Sequence, residues 1–239
     1  MAENIHGVQS RIEQACNRVG RDPRDVTLVA VTKSFDSTKI AEAVRQGVQN
    51  IGENFVQEML NKRKQFPEKH VRWHFVGHLQ TNKVKYIVDF VHLIHSVDSV
   101  KVAEEINKRA SKIGRRIQIL LEVNTTGEGT KQGIRPDQTV PLATEIARLE
   151  NVRTCGLMTM GPFLPDPEHS RPCFRTLREL SELVRKNGIE NVDMTHLSMG
   201  MTNDFEIAIE EGATLVRLGT ALFGPRPTRD RKTGSLGSN

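Results

Sequence analysis

Lys33 closes the run Leu28-Val29-Ala30-Val31-Thr32-Lys33, and an amine at the C-terminal end of a buried strand is well placed for covalent chemistry. It shares parity with Val29 and Val31, so strand alternation sends all three to one face. Partial burial disfavours the charged ammonium, which is the condition under which an amine attacks an aldehyde. On this segment alone a solvated lysine just past a strand end is the ordinary reading. Two later segments change that. Leu197-Ser198-Met199-Gly200-Met201-Thr202-Asn203-Asp204 passes from strand to helix, where glycine permits close backbone approach, two hydroxyls add donors, and a helix start favours an anion. Val216-Arg217-Leu218-Gly219-Thr220 repeats the pairing of glycine with a hydroxyl. Either segment is explained by a capped turn; together they point to phosphate.

The elements that must position these groups are legible as an alternation. A helix is predicted over Asn4 to Val19, with Ile5, Val8, Ile12, Ala15 and Val19 at three- and four-residue steps. Strands follow at Thr27 to Lys33, Asn50 to Glu53, Arg72 to Gly77, Leu93 to Ser96, Gln118 to Asn124, Arg153 to Met160, Thr195 to Ser198 and Val216 to Gly219. Helical stretches fill the intervals. The first is punctuated by N-cap oxygens at Asp36, Ser37 and Thr38 and a stop at Gly47; a later one is capped by Thr202 or Asn203 and ends at Gly212. Near-continuous apolar strands, each followed by a helix, imply a parallel sheet covered on both faces. Eight such units imply an α/β fold, a single (β/α)8 TIM barrel with an extra N-terminal helix, over residues 1–226, followed by a polar, disordered tail over 227–239. Sites in such barrels lie at the C-terminal strand ends, with phosphate commonly held after strands seven and eight. Lys33, Glu53, Asn54, His78, Asn124, Ser198, Gly219 and Thr220 all fall at such ends.

Composition narrows the partners. Net charge is +5 with pI near 9.2, but the basic residues are mixed with 29 acidic ones, and one Trp, one Tyr and nine Phe make no stacking platform for nucleic acid. Apolar runs are far shorter than the roughly 20 residues that span a bilayer, and the amino terminus lacks a signal-peptide core. Three cysteines without a CxxC pair fit a reducing, cytoplasmic setting. The histidines show neither HxH nor HExxH, so structural or surface roles are expected for His74, His92, His95 and His196. Gly127 to Gly133 matches no phosphate-loop pattern and reads as a loop, with Lys131 near the site mouth.

Six segments taken together resemble the pyridoxal phosphate homeostasis family over Asn4 to Pro225. They are Val29-Ala30-Val31-Thr32-Lys33, Gly52-Glu53-Asn54, the run from Trp73 to Lys83, Gly156-Leu157-Met158-Thr159-Met160, Ser198-Met199-Gly200-Met201 and Arg217-Leu218-Gly219-Thr220. The resemblance implies the barrel shared with the N-terminal domain of alanine racemase, with pyridoxal 5'-phosphate (PLP) as a Schiff base on Lys33. It puts Ser198, Gly200, Gly219 and Thr220 in the phosphate cup with Met199 beside them, Arg217 against the pyridine nitrogen and Asn54 near the phenolic oxygen; His78 stands where other members of the family vary, and from its place after the third strand it is expected to approach the cofactor. The sequence departs from the family pattern where Ser34-Phe35 follow the lysine and where Thr202 replaces the commoner serine.

The same resemblance implies a protein that buffers PLP and passes it to apo PLP-dependent enzymes. A guanidinium only donates, so a pyridine nitrogen facing Arg217 stays unprotonated and makes a weak electron sink. Alanine racemase couples that arrangement to a tyrosine supplied with a second domain and a dimer interface, whereas here Tyr86 is the one tyrosine. A monomer is expected, with neither nucleic-acid nor membrane partners. A weak PLP-dependent amino-acid racemase using Lys33 as its only base stays open as the alternative, as does a PLP-independent Schiff-base aldolase.

Overall fold

The computed structural model describes residues 1–66, 70–129 and 132–225. Eight parallel strands close into a barrel in sequence order. They are β1 (Thr27–Val31), β2 (Asn50–Glu53), β3 (Arg72–Phe75), β4 (Leu93–Val97), β5 (Ile117–Glu122), β6 (Val152–Met158), β7 (Val192–Ser198) and β8 (Leu215–Leu218). The helices used below are α1 (Ala2–Arg18), α2 (Ser37–Arg45), α3 (Val56–Gln65), α4 (Thr81–Val84), α5 (Val100–Ser111), α6 (Thr139–Ile146), α7 (Arg171–Lys186), α8 (Phe205–Glu210) and α9 (Thr220–Phe223). The expected tail, 227–239, lies outside the described residues, as does Lys131.

Strand alternation divides the apolar residues into two cores. Ala30, Ile51, Trp73, Ile94, Ile119 and Val216 face outward and join the helices in a large cluster. Val29, Leu93, Leu120, Cys155, Met158 and Leu215 fill the barrel interior. Burying each large aliphatic side chain contributes roughly 1.5–3 kcal/mol, so a strand slipped by one residue would exchange both sets and is strongly disfavoured.

The extra helix α1 turns Ile5, Val8, Ile12, Ala15 and Cys16 inward and lies over the final unit. Its contacts are directional as well as apolar. Asn4 donates to the Leu222 carbonyl at 3.0 Å, and Arg11 and Arg18 pair with Glu206 and Glu210. Arg21, just beyond it, donates to the carbonyls of Ile209 and Ala213 at 2.6 and 2.9 Å. The helix thereby braces α8 and α9, which carry the loops after β7 and β8.

Two local expectations are corrected. The residue capping α8 is Asp204, not Thr202 or Asn203; its buried carboxylate accepts from the Met201 amide at 2.7 Å and from the Ser170 hydroxyl at 2.9 Å. β1 ends at Val31, two residues before Lys33. Asp36 caps α2 as expected, accepting from the amides of Thr38 and Lys39.

Candidate functional site at the barrel mouth

Lys33 stands on a turn fixed from both sides. The Thr32 amide still pairs with the Gly52 carbonyl of β2 at 3.0 Å, and the Phe35 amide returns to the Thr32 carbonyl at 2.9 Å. Ser34 takes a φ of 68° to close that turn. Thr32 has outward parity and is clamped beneath α3: its hydroxyl donates to Glu53, and Lys62 donates to the Thr32 carbonyl at 2.7 Å and to Glu53 at 2.5 Å. Glu53 is fully buried and Lys62 is 6% exposed. Burial pushes the Glu53 carboxyl up, more than the attraction of Lys62 pulls it down. An outer-layer ion pair thus anchors the residue before Lys33, whose own parity is that of Val29 in the barrel interior. The Lys33 amine is half-buried and lies 5.4 Å from the centre of the Phe55 ring.

The loops after β7 and β8 meet at the same mouth. The Arg217 amide donates to the Gly200 carbonyl at 3.0 Å, and the Ala221 amide donates to the Thr202 hydroxyl at 3.3 Å. Gly200 has a φ of 92°, and a Cβ there would meet the Ala208 Cβ at 2.6 Å and the Phe205 Cα at 2.9 Å. Gly219 caps α9, and a Cβ on it would stand 3.1 Å from the Val31 carbonyl oxygen of β1. Gly200→Ala is expected to cost roughly 1–3 kcal/mol through strain, read as a lower denaturant midpoint.

Ser198 and Met199, expected at the cup, have other partners. Met199 buries its side chain in the outer core and its amide bonds to the Leu215 carbonyl. The Ser198 hydroxyl is buried between two side chains, accepting from Arg217 at 2.6 Å and lying 2.8 Å from His95 Nδ1. Arg217, 4% exposed, also donates to the Thr159 carbonyl at 2.8 Å and reaches Met160 Sδ at 3.2 Å. Its guanidinium is pulled down to about 10 by burial, which leaves it charged at neutral pH.

His74 and His95 extend this contact into a chain that crosses the barrel. His95 Nε2 is 2.9 Å from His74 Nδ1, and His74 Nε2 is 3.1 Å from Asn50 Oδ1. An amide oxygen only accepts, so the chain has one consistent direction. Arg217 donates to Ser198, Ser198 to His95, His95 to His74, and His74 to Asn50. Both imidazoles are neutral in this arrangement, in agreement with burial, which pushes His74 down to about 3 and His95 well below its usual value. Sequence reasoning assigned these histidines only structural or surface roles. Their parity inside β3 and β4 was the available signal; their partners on β2, β7 and β8 were not.

Asn54 and His78 fall together at the rim, in a cavity of about 330 Å³ shared with Phe55 and Tyr86. The His78 side chain is 47% exposed and its Nδ1 stands 3.7 Å from Asp98. The nearby Gly77 is required by crowding, because a Cβ would lie 2.2 Å from the Asn54 carbonyl oxygen.

Glu122 at the end of β5 was also missed. It follows Leu120 by two residues and so faces inward, 6% exposed. Burial first, and then the charge of Asp98, raise its carboxyl to about 7 against the opposing pull of Arg217. A raised carboxyl stabilises the fold below its ordinary value and loses that contribution as pH rises through the folded value. Unfolding measurements on Glu122→Gln should therefore show the variant gaining on the parent protein as pH rises from the ordinary carboxylate value of 4.5 to about 7, by on the order of 3 kcal/mol.

Comparison with known proteins agrees with this geometry. The family described as "Alanine racemase, N-terminal domain" matches residues 4–227. A protein of Aquifex aeolicus named "Pyridoxal phosphate homeostasis protein" is 46% identical over 224 residues, covering 94% of this chain and 97% of the relative. The human protein of the same name is 36% identical, covering 95% of this chain and 89% of the relative. The structure of PipY from Synechococcus elongatus PCC7942 with PLP bound superposes with a TM-score of 0.79 at 31% identity, covering 90% of this chain and all of that one. With this similarity extending over nearly the whole sequence, the chain belongs to the alanine racemase N-terminal domain family, among the pyridoxal phosphate homeostasis proteins.

Proposed function

We propose that this protein holds PLP as a Schiff base on Lys33 and serves PLP homeostasis by buffering the cofactor and releasing it to apo-enzymes. The observation that carries the reading is the meeting, at one barrel mouth, of the Lys33 turn with the stitched loops Gly200–Thr202 and Gly219–Ala221. PLP supplies an aldehyde that an amine captures and a phosphate that backbone amides and hydroxyls bind. The residues present fit it: Lys33 as the amine, Gly200, Gly219 and Thr220 around the phosphate, Arg217 toward the pyridine nitrogen, and Asn54 toward the phenolic oxygen. His78 stays at the rim, where its pairing with Asp98 lets it border the cofactor. Ser198 serves the same site by holding Arg217.

A role without turnover is supported by Arg217 and by the names of the relatives. A buried guanidinium with three acceptors already assigned offers its remaining N–H groups to a ring nitrogen and no proton that the nitrogen can take. Tyr86 is 44% exposed, beside Lys83 and Lys85 at the outer rim. The protein is read as a cytoplasmic monomer.

Incubation of the loaded protein with an apo PLP-dependent enzyme, with free PLP removed, should restore that enzyme's activity. Amino acids incubated with the loaded protein should keep their configuration. Racemisation at a rate proportional to protein concentration would favour the enzyme reading and contradict this one.

A further inference from the structure

We propose that His95 is a positioning residue for the cofactor: by accepting from the Ser198 hydroxyl it turns that oxygen's lone pairs on Arg217 and fixes the guanidinium toward the ring nitrogen. The inference deepens the PLP reading and rests on it.

Strand parity puts the whole chain of contacts inside the barrel. Ile51, Trp73, Ile94, Leu197 and Val216 belong to the outer core, so alternation turns their strand neighbours Asn50, His74, His95, Ser198 and Arg217 inward. In the closed order β4 stands opposite β8 and three strands from β7. The contact of 2.8 Å between His95 Nδ1 and the Ser198 hydroxyl therefore crosses the interior. The imidazole is fully buried and is held at its other end by His74 Nδ1, 2.9 Å from Nε2.

Arg217 needs such a hold. Its side chain is long, and its partners, the Ser198 hydroxyl, the Thr159 carbonyl and the Met160 thioether, are all neutral. The thioether is a weak acceptor, and Met160 is partly exposed. Asp204 and Glu122 act on the guanidinium through charge and not through a hydrogen bond. The shortest of its contacts is the one to Ser198, at 2.6 Å. A hydroxyl rotates to suit its surroundings, so its oxygen faces Arg217 reliably only when its proton is committed elsewhere. His95 Nδ1 commits it. A neutral imidazole that accepts at Nδ1 carries its proton on Nε2, where His74 takes it, and Asn50 Oδ1 completes the order by accepting from His74 at 3.1 Å.

Stability alone does not call for this arrangement. The rest of the barrel interior is apolar, with Val29, Leu93, Leu120 and Leu215 among its members. An apolar filling of the same shape serves the fold about as well as a satisfied polar chain. What the polar chain adds is a fixed orientation for its one charged member.

The test compares the affinity of PLP with that of its deaza analogue, in which C–H replaces the ring nitrogen. Equilibrium dialysis is run on the parent protein, His95→Leu, His95→Asn and Ser198→Ala. The analogue keeps the aldehyde and the phosphate, so the ratio of the two affinities isolates the ring-nitrogen contact. The parent should prefer PLP by roughly tenfold, as one hydrogen bond to a charged donor allows. His95→Leu and Ser198→Ala should bring the ratio close to unity. His95→Asn, whose amide oxygen takes the place of Nδ1, should restore part of the preference. A merely structural role would lower both affinities together and leave the ratio as it was; that result overturns the proposal while the PLP reading stands. NMR of isotope-labelled histidine rings in the parent protein requires no variant to fold. It should show His95 neutral with its proton on Nε2, and a proton on Nδ1 would equally overturn the proposal. A parent protein that binds both ligands alike would defeat the placing of the ring nitrogen at Arg217, on which the proposal rests. Absence of any Schiff base in the parent protein would defeat the PLP reading itself.

Discussion

Lys33→Ala should abolish the visible absorbance of the PLP adduct and all cofactor fixed by borohydride, while binding through the phosphate persists about a hundredfold weaker, equivalent to about 2.7 kcal/mol. The two halves of this result come from separate parts of the fold. The amine sits on the turn after β1, whereas the loops after β7 and β8, proposed to hold the phosphate, are tied to each other and braced by α1 through α8 and α9. Removing the side chain leaves the Thr32 anchor and the Gly219 approach to Val31 intact. Equilibrium dialysis with PLP and with pyridoxal then separates the contributions. The variant should still prefer the phosphorylated form, and equal loss of both ligands would mean that the cup does not act on its own.

Lys62→Met should destabilise the protein by about 3–5 kcal/mol, because it strands the Glu53 carboxylate in a dry layer. Glu53 already has one oxygen without a partner among the described residues, and its burial outweighs the pull of Lys62. Without that ammonium its carboxyl is raised further. A raised carboxyl favours the fold when protonated, so the deficit of the variant should be largest at neutral pH and shrink as pH falls through the carboxylate range. Replacing both residues, as Glu53→Leu with Lys62→Met, should recover most of the lost stability. Denaturant unfolding at acidic and neutral pH checks both statements. The same substitution frees the Thr32 carbonyl, so PLP capture by the folded fraction should weaken as the Lys33 turn loosens.

How much of this was legible in the sequence depended on how local the cause was. Every strand was visible because short apolar or β-branched stretches alternate regularly with helical ones along the chain. The ends were less so: the reading carried β1 through Lys33, and it stops at Val31 because Ser34 adopts a positive φ that no periodicity reveals. Thr202 looked like a cap by residue type, yet the cap is Asp204, whose carboxylate finds Met201 and Ser170 only once β6 and β7 are neighbours. Glycines at 200 and 219 were legible as points of close approach, and the structure supplies what they approach.

The candidate site was legible where one segment carries both position and chemistry, as Lys33 does. It was not where the chemistry is shared among distant strands. His74 and His95 matter through Asn50 on β2, Ser198 on β7 and Arg217 on β8, a set that barrel closure alone assembles. Ser198 was expected at the phosphate as one of two hydroxyls on the strand-to-helix segment; that its hydroxyl lies between Arg217 and His95 could not be read from the segment. Glu122 was hidden inside an apolar run whose alternation matters only once the barrel has an inside.

One measurement bears most directly on all of this: the protein is saturated with PLP, reduced with borohydride, digested, and the modified peptide identified by mass spectrometry. A single stoichiometric phosphopyridoxyl group on Lys33 is the predicted result. A label spread over surface lysines, or concentrated on a lysine other than Lys33, would contradict the account.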